Sequence, residues 1–159
     1  MIMTRRNAIA IVGAIVGVLA LTPLLGTQSR AQAGKLVDVN LAAESDLQQL
    51  PSMTPAIAKG MVARRPFKTV VELNKFLLDQ KLTPVQTKAF YGKAFIPINL
   101  NTGTKEESLL IPGVGPRMSG EFEEYRPWKT WTQFDKEIGK YVGQPETDRL
   151  KQYFFIPTS

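Results

Sequence analysis

Six residues, Leu50-Pro51-Ser52-Met53-Thr54-Pro55, return 61 positions later as Ile111-Pro112-Gly113-Val114-Gly115-Pro116. The offset persists, since Arg65-Pro66-Phe67-Lys68-Thr69 recurs as Arg126-Pro127-Trp128-Lys129-Thr130. After a one-residue deletion, Phe95-Ile96-Pro97 recurs as Phe155-Ile156-Pro157. A chain of 159 residues has room for one domain or two small ones. Self-similarity at a fixed period divides it into a repeat over residues 34–97 and another over 98–159. The fold must be one that the same short pattern can adopt twice.

The residues around the repeated turn specify helices. Gly113 and Gly115 flank one apolar residue, which permits a tight backbone turn. Pro116 then suits the first turn of a helix, where a missing N–H costs nothing. In the second repeat, Thr104-Lys105-Glu106-Glu107 has capping-box spacing and opens a helix carrying Leu109 and Leu110. The helix from Pro116 carries Met118, Phe122 and Tyr125 on one face and stops at Pro127. Thr130 and Gln133 form another capping pair ahead of Phe134 and Ile138. Beyond Gly143-Gln144-Pro145 a last helix bears Leu150 and Phe154. The first repeat runs in parallel: Leu47 and Leu50 before the turn, Ile57 and Met61 after it. Thr69 to Glu72 caps its third helix and Thr83 to Gln86 its fourth. No strand-like alternation stands out, so the expected class is all-α, with four short helices per repeat. Phe67 and Trp128, at matching positions, are expected as core anchors.

The first 33 residues have the order of an export signal. Arg5 and Arg6 form a basic head, Ala8 to Leu25 an apolar run of 18 residues, and Ala31-Gln32-Ala33 a small-x-small cleavage site. Cleavage after Ala33 and a periplasmic or secreted location are expected, with the membrane a partner only if the segment stays as an anchor. Asn7-Ala8-Ile9 continues a twin-arginine signal poorly, so Sec-type export is expected. Removal lowers the net charge from +6 to +3, so basicity alone does not indicate nucleic acid. The chain has no cysteine and no histidine, which excludes disulfides, thiolate or imidazole catalysis and ordinary Cys/His metal sites. No metal site, cofactor or enzymatic activity is expected. Glu106 and Glu107 are most simply a solvated helix N-terminus.

Together these motifs resemble the helix-hairpin-helix family, over nearly all of the chain beyond the leader. The nearest form is the ComEA-like secreted domain. Its Ile-Asn-x-Asn opening is matched by Ile98-Asn99-Leu100-Asn101-Thr102 and loosely by Val37-Asp38-Val39-Asn40. Its Leu-Pro-Gly-Ile-Gly-Pro hairpin is matched by Ile111 to Pro116, and its Pro-Phe-Lys-Ser stretch by Pro66 to Thr69 and Pro127 to Thr130. That resemblance implies tandem helix-hairpin-helix repeats and sequence-independent DNA capture. Glycine turns let backbone N–H groups approach a phosphate, with a helix dipole behind them. The implied phosphate contacts are Gly113, Val114 and Gly115 with Arg117. A basic surface of Lys59, Arg64, Arg65 and Lys68 would support them. Taken alone, the two glycines are more simply read as permitting a plain helix–helix turn.

Two departures keep a second reading open. Ser52-Met53-Thr54 replaces the glycine turn in the first repeat, while Lys81-Leu82-Thr83 and Val142-Gly143-Gln144 stand at the second turns. Charge is also split, with a net of +4 over residues 34–97 and −1 over 98–159. The intact hairpin thus sits in the acidic half, ahead of Glu121, Glu123 and Glu124. The first repeat is also similar to the photosystem II extrinsic protein PsbU, through Thr54 to Lys59, Pro66 to Val70 and the Leu82-Thr83-Pro84 turn. That likeness implies a structural module that docks on protein and does not bind DNA.

Overall fold

The computed structural model describes residues 35–158. The expected leader, residues 1–33, lies outside the described residues. The described residues form one compact unit. Its elements run β1 (Val37–Asp38), α1 (Glu44–Leu47), α2 (Pro55–Arg64), α3 (Val70–Asp79), α4 (Pro84–Tyr91) and β2 (Ala94–Phe95). The order then repeats as β3 (Ile98–Asn99), α5 (Lys105–Leu109), α6 (Pro116–Glu124), α7 (Trp131–Val142), α8 (Gln144–Leu150), a 3-10 turn (Lys151–Tyr153) and β4 (Phe154–Phe155). The protein is all-α in class, as expected.

Threonines set where most of these helices begin. The hydroxyls of Thr54, Thr69, Thr83, Thr104 and Thr130 each accept from a backbone N–H one turn on, which satisfies a donor the helix cannot. Thr83 with Gln86 and Thr104 with Glu107 close full capping boxes. The Thr130 pair differs from expectation. Gln133 bonds the N–H of Lys129, one residue ahead of the cap, and Glu72 does the same to Lys68.

Among the described residues are four two-residue strands that the sequence does not announce. β1 pairs in parallel with β2, with Val37 opposite Ala94, and β3 pairs with β4, with Ile98 opposite Phe154. Phe154, expected inside the last helix, lies instead in β4, because the chain leaves α8 through the 3-10 turn. Each ribbon ties the start of a half to its end.

Within each half one asparagine locks the second helix pair to the opening segment. The Asn40 amide donates to the Phe67 carbonyl and its oxygen accepts from the Phe67 N–H, both at 2.9 Å. Asn101 makes the same two bonds to Trp128, at 2.9 and 2.6 Å. The Arg65–Pro66 and Arg126–Pro127 bonds are both cis. Phe67 and Trp128 are buried as expected, and the Trp128 indole N–H donates to the Phe122 carbonyl at 2.8 Å.

One core runs through both halves. The rings of Phe95 and Tyr153 meet edge to face at 4.8 Å, and the Tyr153 hydroxyl donates to the Tyr91 carbonyl at 3.1 Å. Burial of the two phenols raises both pKa values above the ordinary tyrosine range.

Candidate functional site

The turn between α5 and α6 begins as Leu110 closes α5. The Val114 N–H then bonds back to the Ile111 carbonyl at 3.1 Å, which folds the loop on itself. Gly113 sits at φ +85°, a left-handed conformation that residues with a Cβ resist. Gly115 is different. Its backbone is extended, at φ −108° and ψ 176°, and a Cβ placed there would meet nothing within 4 Å. The fold does not require glycine at 115.

Gly115 is also the N-cap of α6, and it offers no side chain to cap it. Among the described residues, no group accepts from the N–H groups of Gly113, Gly115, Arg117 or Met118. These donors lie at the positive end of a nine-residue helix. Of the three backbone contacts implied by resemblance, Gly113 and Gly115 therefore have free N–H groups. Val114 does not, because its N–H is already donated.

The corresponding turn in the first half keeps the shape without the glycines. Ser52 takes φ 63° where Gly113 stands in the second half. Thr54 occupies the place of Gly115, and its hydroxyl accepts from the Ile57 N–H at 3.2 Å. The α2 N-terminus is thus capped from within, and the α6 N-terminus is open. At the later turns, Lys81 adopts φ 68°, while Gly143 at φ 77° closes α7 and opens α8 at once.

Beside Gly115 runs a groove of about 430 Å³ between α6 and α7, walled by Gly115, Arg117, Met118, Glu121, Lys140 and Tyr141. Arg117 is exposed and forms no ion pair among the described residues; its guanidinium lies 5.6 Å from the Tyr141 ring centroid. Lys140 lies 4.5 Å from the Tyr125 ring centroid and bonds Glu137 at 2.8 Å and the Tyr125 hydroxyl at 2.7 Å. The bond to Glu137 raises the Lys140 pKa and lowers that of Glu137. The Tyr141 hydroxyl is pushed up to about 12 by its hydrogen bond to Tyr125, with the Glu121 carboxylate adding to the shift.

The cations predicted in the first half are placed unevenly. Lys59, Arg64 and Lys68 are exposed. Arg65 turns inward, with its Nε and one terminal nitrogen buried and without a partner among the described residues. Its counterpart Arg126 is a structural strut, donating to the carbonyls of Leu100 and Gly103. None of the four first-half cations walls the groove at Gly115. One residue at the hairpin was missed. Arg149 of α8, which the sequence does not single out, donates to the Pro112 carbonyl at 2.8 Å and pairs with Glu146 three residues earlier.

The helix-hairpin-helix motif matches residues 32–78, which include α1, the Ser52 turn and α2. The chain is 35% identical over 85 residues to the photosystem II extrinsic protein U, cyanelle, of Cyanophora paradoxa. That match covers 48% of this chain and 52% of the relative, so the chain spans about half of the curated protein it resembles. No solved structure matches the chain. A helix-hairpin-helix motif is present, in a chain similar over 48% of its length to an extrinsic photosystem protein.

Proposed function

We propose that this is an exported, non-enzymatic helix-hairpin-helix protein that binds DNA without sequence preference, in the ComEA-like manner, through phosphate contacts. The reading divides it into a signal over residues 1–33 and repeats over 34–97 and 98–159. The observation that carries it is the open α6 N-terminus. The N–H groups of Gly113, Gly115, Arg117 and Met118 have no acceptor among the described residues, and Gly115 leaves the approach clear. Arg117 supplies an unpaired cation beside them, and a phosphate oxygen satisfies both the donors and the dipole. Lys59, Arg64 and Lys68 add a second exposed basic surface for the polymer's other phosphates. Contacts of this kind read no bases.

Titration against random duplex DNA at several salt concentrations tests the proposal. A log–log salt slope of roughly −2 to −5 is expected for a few phosphate contacts. Undetectable binding at low ionic strength, or binding indifferent to salt, would refute it.

A second reading has its own support, in the 35% identity to the extrinsic photosystem protein. On that reading the chain docks on protein, and the self-capped Thr54 turn marks a hairpin that has given up its anion. The same titration separates the two, because a docking module leaves DNA unbound while Arg117 and Gly115 tolerate substitution.

A further inference from the structure

Arg149 is held by partners from three parts of the chain. Its Nε and one terminal nitrogen grip the two carboxylate oxygens of Glu146 at 2.7 and 2.6 Å. The same terminal nitrogen donates to the Pro112 carbonyl at 2.8 Å. Its guanidinium carbon lies 5.4 Å from the Tyr153 ring centroid. A Cβ placed on Gly113 would come within 3.4 Å of that nitrogen. So a side chain rooted in α8 reaches across to the turn between α5 and α6 and holds it at Pro112.

The first half has no such brace. Past the one-residue deletion, the positions corresponding to Glu146 and Arg149 are Gln86 and Ala89, both exposed. Among the described residues neither bonds the Pro51 carbonyl. The hairpin with open N–H groups is therefore the one fixed from the opposite helix pair. The forked bond to Glu146 also matters for charge. It neutralises the guanidinium and uses two of its donor directions, which suits a strut better than a phosphate ligand.

We infer that Arg149 is a positioning residue for the hairpin. It fixes the Pro112 to Gly115 backbone so that the N–H groups of Gly113 and Gly115 point together at one phosphate oxygen, without contacting that phosphate. The inference rests on the reading of the hairpin as a phosphate site. Its physical basis is preorganisation: a loop already held in the binding geometry loses less freedom when the ligand arrives.

The test compares Arg149→Gln, Arg149→Lys and Arg117→Gln in the full chain. Each is titrated with random duplex DNA over a range of salt, and amide exchange is followed at Val114 and Ile138. Arg149→Gln is expected to weaken binding roughly tenfold, the scale of one charge-assisted hydrogen bond, at every salt concentration. Its salt line should run parallel to that of the unmodified protein. Arg117→Gln should weaken binding and flatten the slope by about 1, as one lost phosphate contact does. Exchange at Val114, whose N–H bonds the Ile111 carbonyl, should quicken in Arg149→Gln while Ile138, in the core, keeps its protection. Arg149→Lys should recover part of the affinity by restoring a donor to Pro112.

A slope flattened by about 1 in Arg149→Gln would make Arg149 a phosphate ligand and overturn the inference. Unchanged affinity would overturn it too, as would loss of protection at Ile138 together with no recovery in Arg149→Lys, since that pattern marks a purely structural residue. If the unmodified protein binds no DNA, the phosphate reading itself fails and takes the positioning role with it.

Discussion

Asn101 and Trp128 exchange two hydrogen bonds, side-chain amide to backbone carbonyl and backbone N–H to side-chain oxygen. The pair fixes the segment after α6 against the segment before α5, and it holds the Trp128 backbone where its indole can fill the core. Asn101→Ala leaves both Trp128 backbone groups without partners in a part-buried place. A loss of about 2–4 kcal/mol is expected, read from denaturant midpoints. Asn40→Ala should cost a similar amount, because Asn40 makes the same exchange with Phe67.

Gly113 and Gly115 should respond in opposite ways. Gly113→Val puts a β-branched residue at φ +85° and should cost about 2–3 kcal/mol of stability. Gly115→Thr recreates the arrangement at Thr54, with a hydroxyl able to cap the Met118 N–H. Stability should stay level or rise by a few tenths of a kcal/mol. DNA affinity should fall about tenfold, because the hydroxyl occupies the place proposed for the phosphate oxygen. Paired melts and titrations check both substitutions, and an affinity unchanged in Gly115→Thr would remove the hairpin from the interface.

Ser52 and Lys81 hold left-handed backbone without the residue that does so freely. Ser52→Gly and Lys81→Gly should each stabilise the protein by about 0.5–1 kcal/mol, the left-handed penalty less the added freedom of glycine when unfolded. Thermal melts of the single and double variants measure this. The two sites lie in different turns, so their effects should add.

Acid should loosen the hairpin before it unfolds the core. The bond from Arg149 lowers the Glu146 pKa in the folded protein, so the unfolded chain takes up the proton first. The contribution is therefore complete above the ordinary value of 4.5 and is lost as pH falls through the lowered value. The carboxylate side chain is 36% exposed, so the effect is screened to at most about 1 kcal/mol. Melts of the unmodified protein and Glu146→Gln should differ at neutral pH and draw together as the pH falls below 4.5. A gap that stays constant across that range would show that the charge is not what matters.

The helices were legible because their signals are local. A threonine three residues ahead of Glu or Gln announces a cap, and Leu, Ile and Phe at helical spacing announce the buried face. The core roles of Phe67 and Trp128 followed from their matching positions. The ribbons were hidden because two residues are too few to alternate, and their partners lie at opposite ends of each half. At the candidate site, the glycine pair pointed to the open turn. It could not reveal that the Val114 N–H is spent on Ile111 or that Arg65 turns inward, since both depend on packing. Arg149 was masked by its neighbour: a Glu three residues before an Arg reads as an ordinary surface pair, while the bond that matters spans 37 residues.

The parallel ribbons also bear on how such a chain could be lengthened. Each half begins and ends on adjacent strands, so its entrance and exit lie side by side. Only Ile96 and Pro97 separate β2, where the first half closes, from β3, where the second opens. A unit whose doorway serves for both arrival and departure can be copied head to tail without a spanning linker. It can also be cut open elsewhere and rejoined at the doorway. A third copy after Phe155 would need no new connection beyond the two residues already used between the first pair.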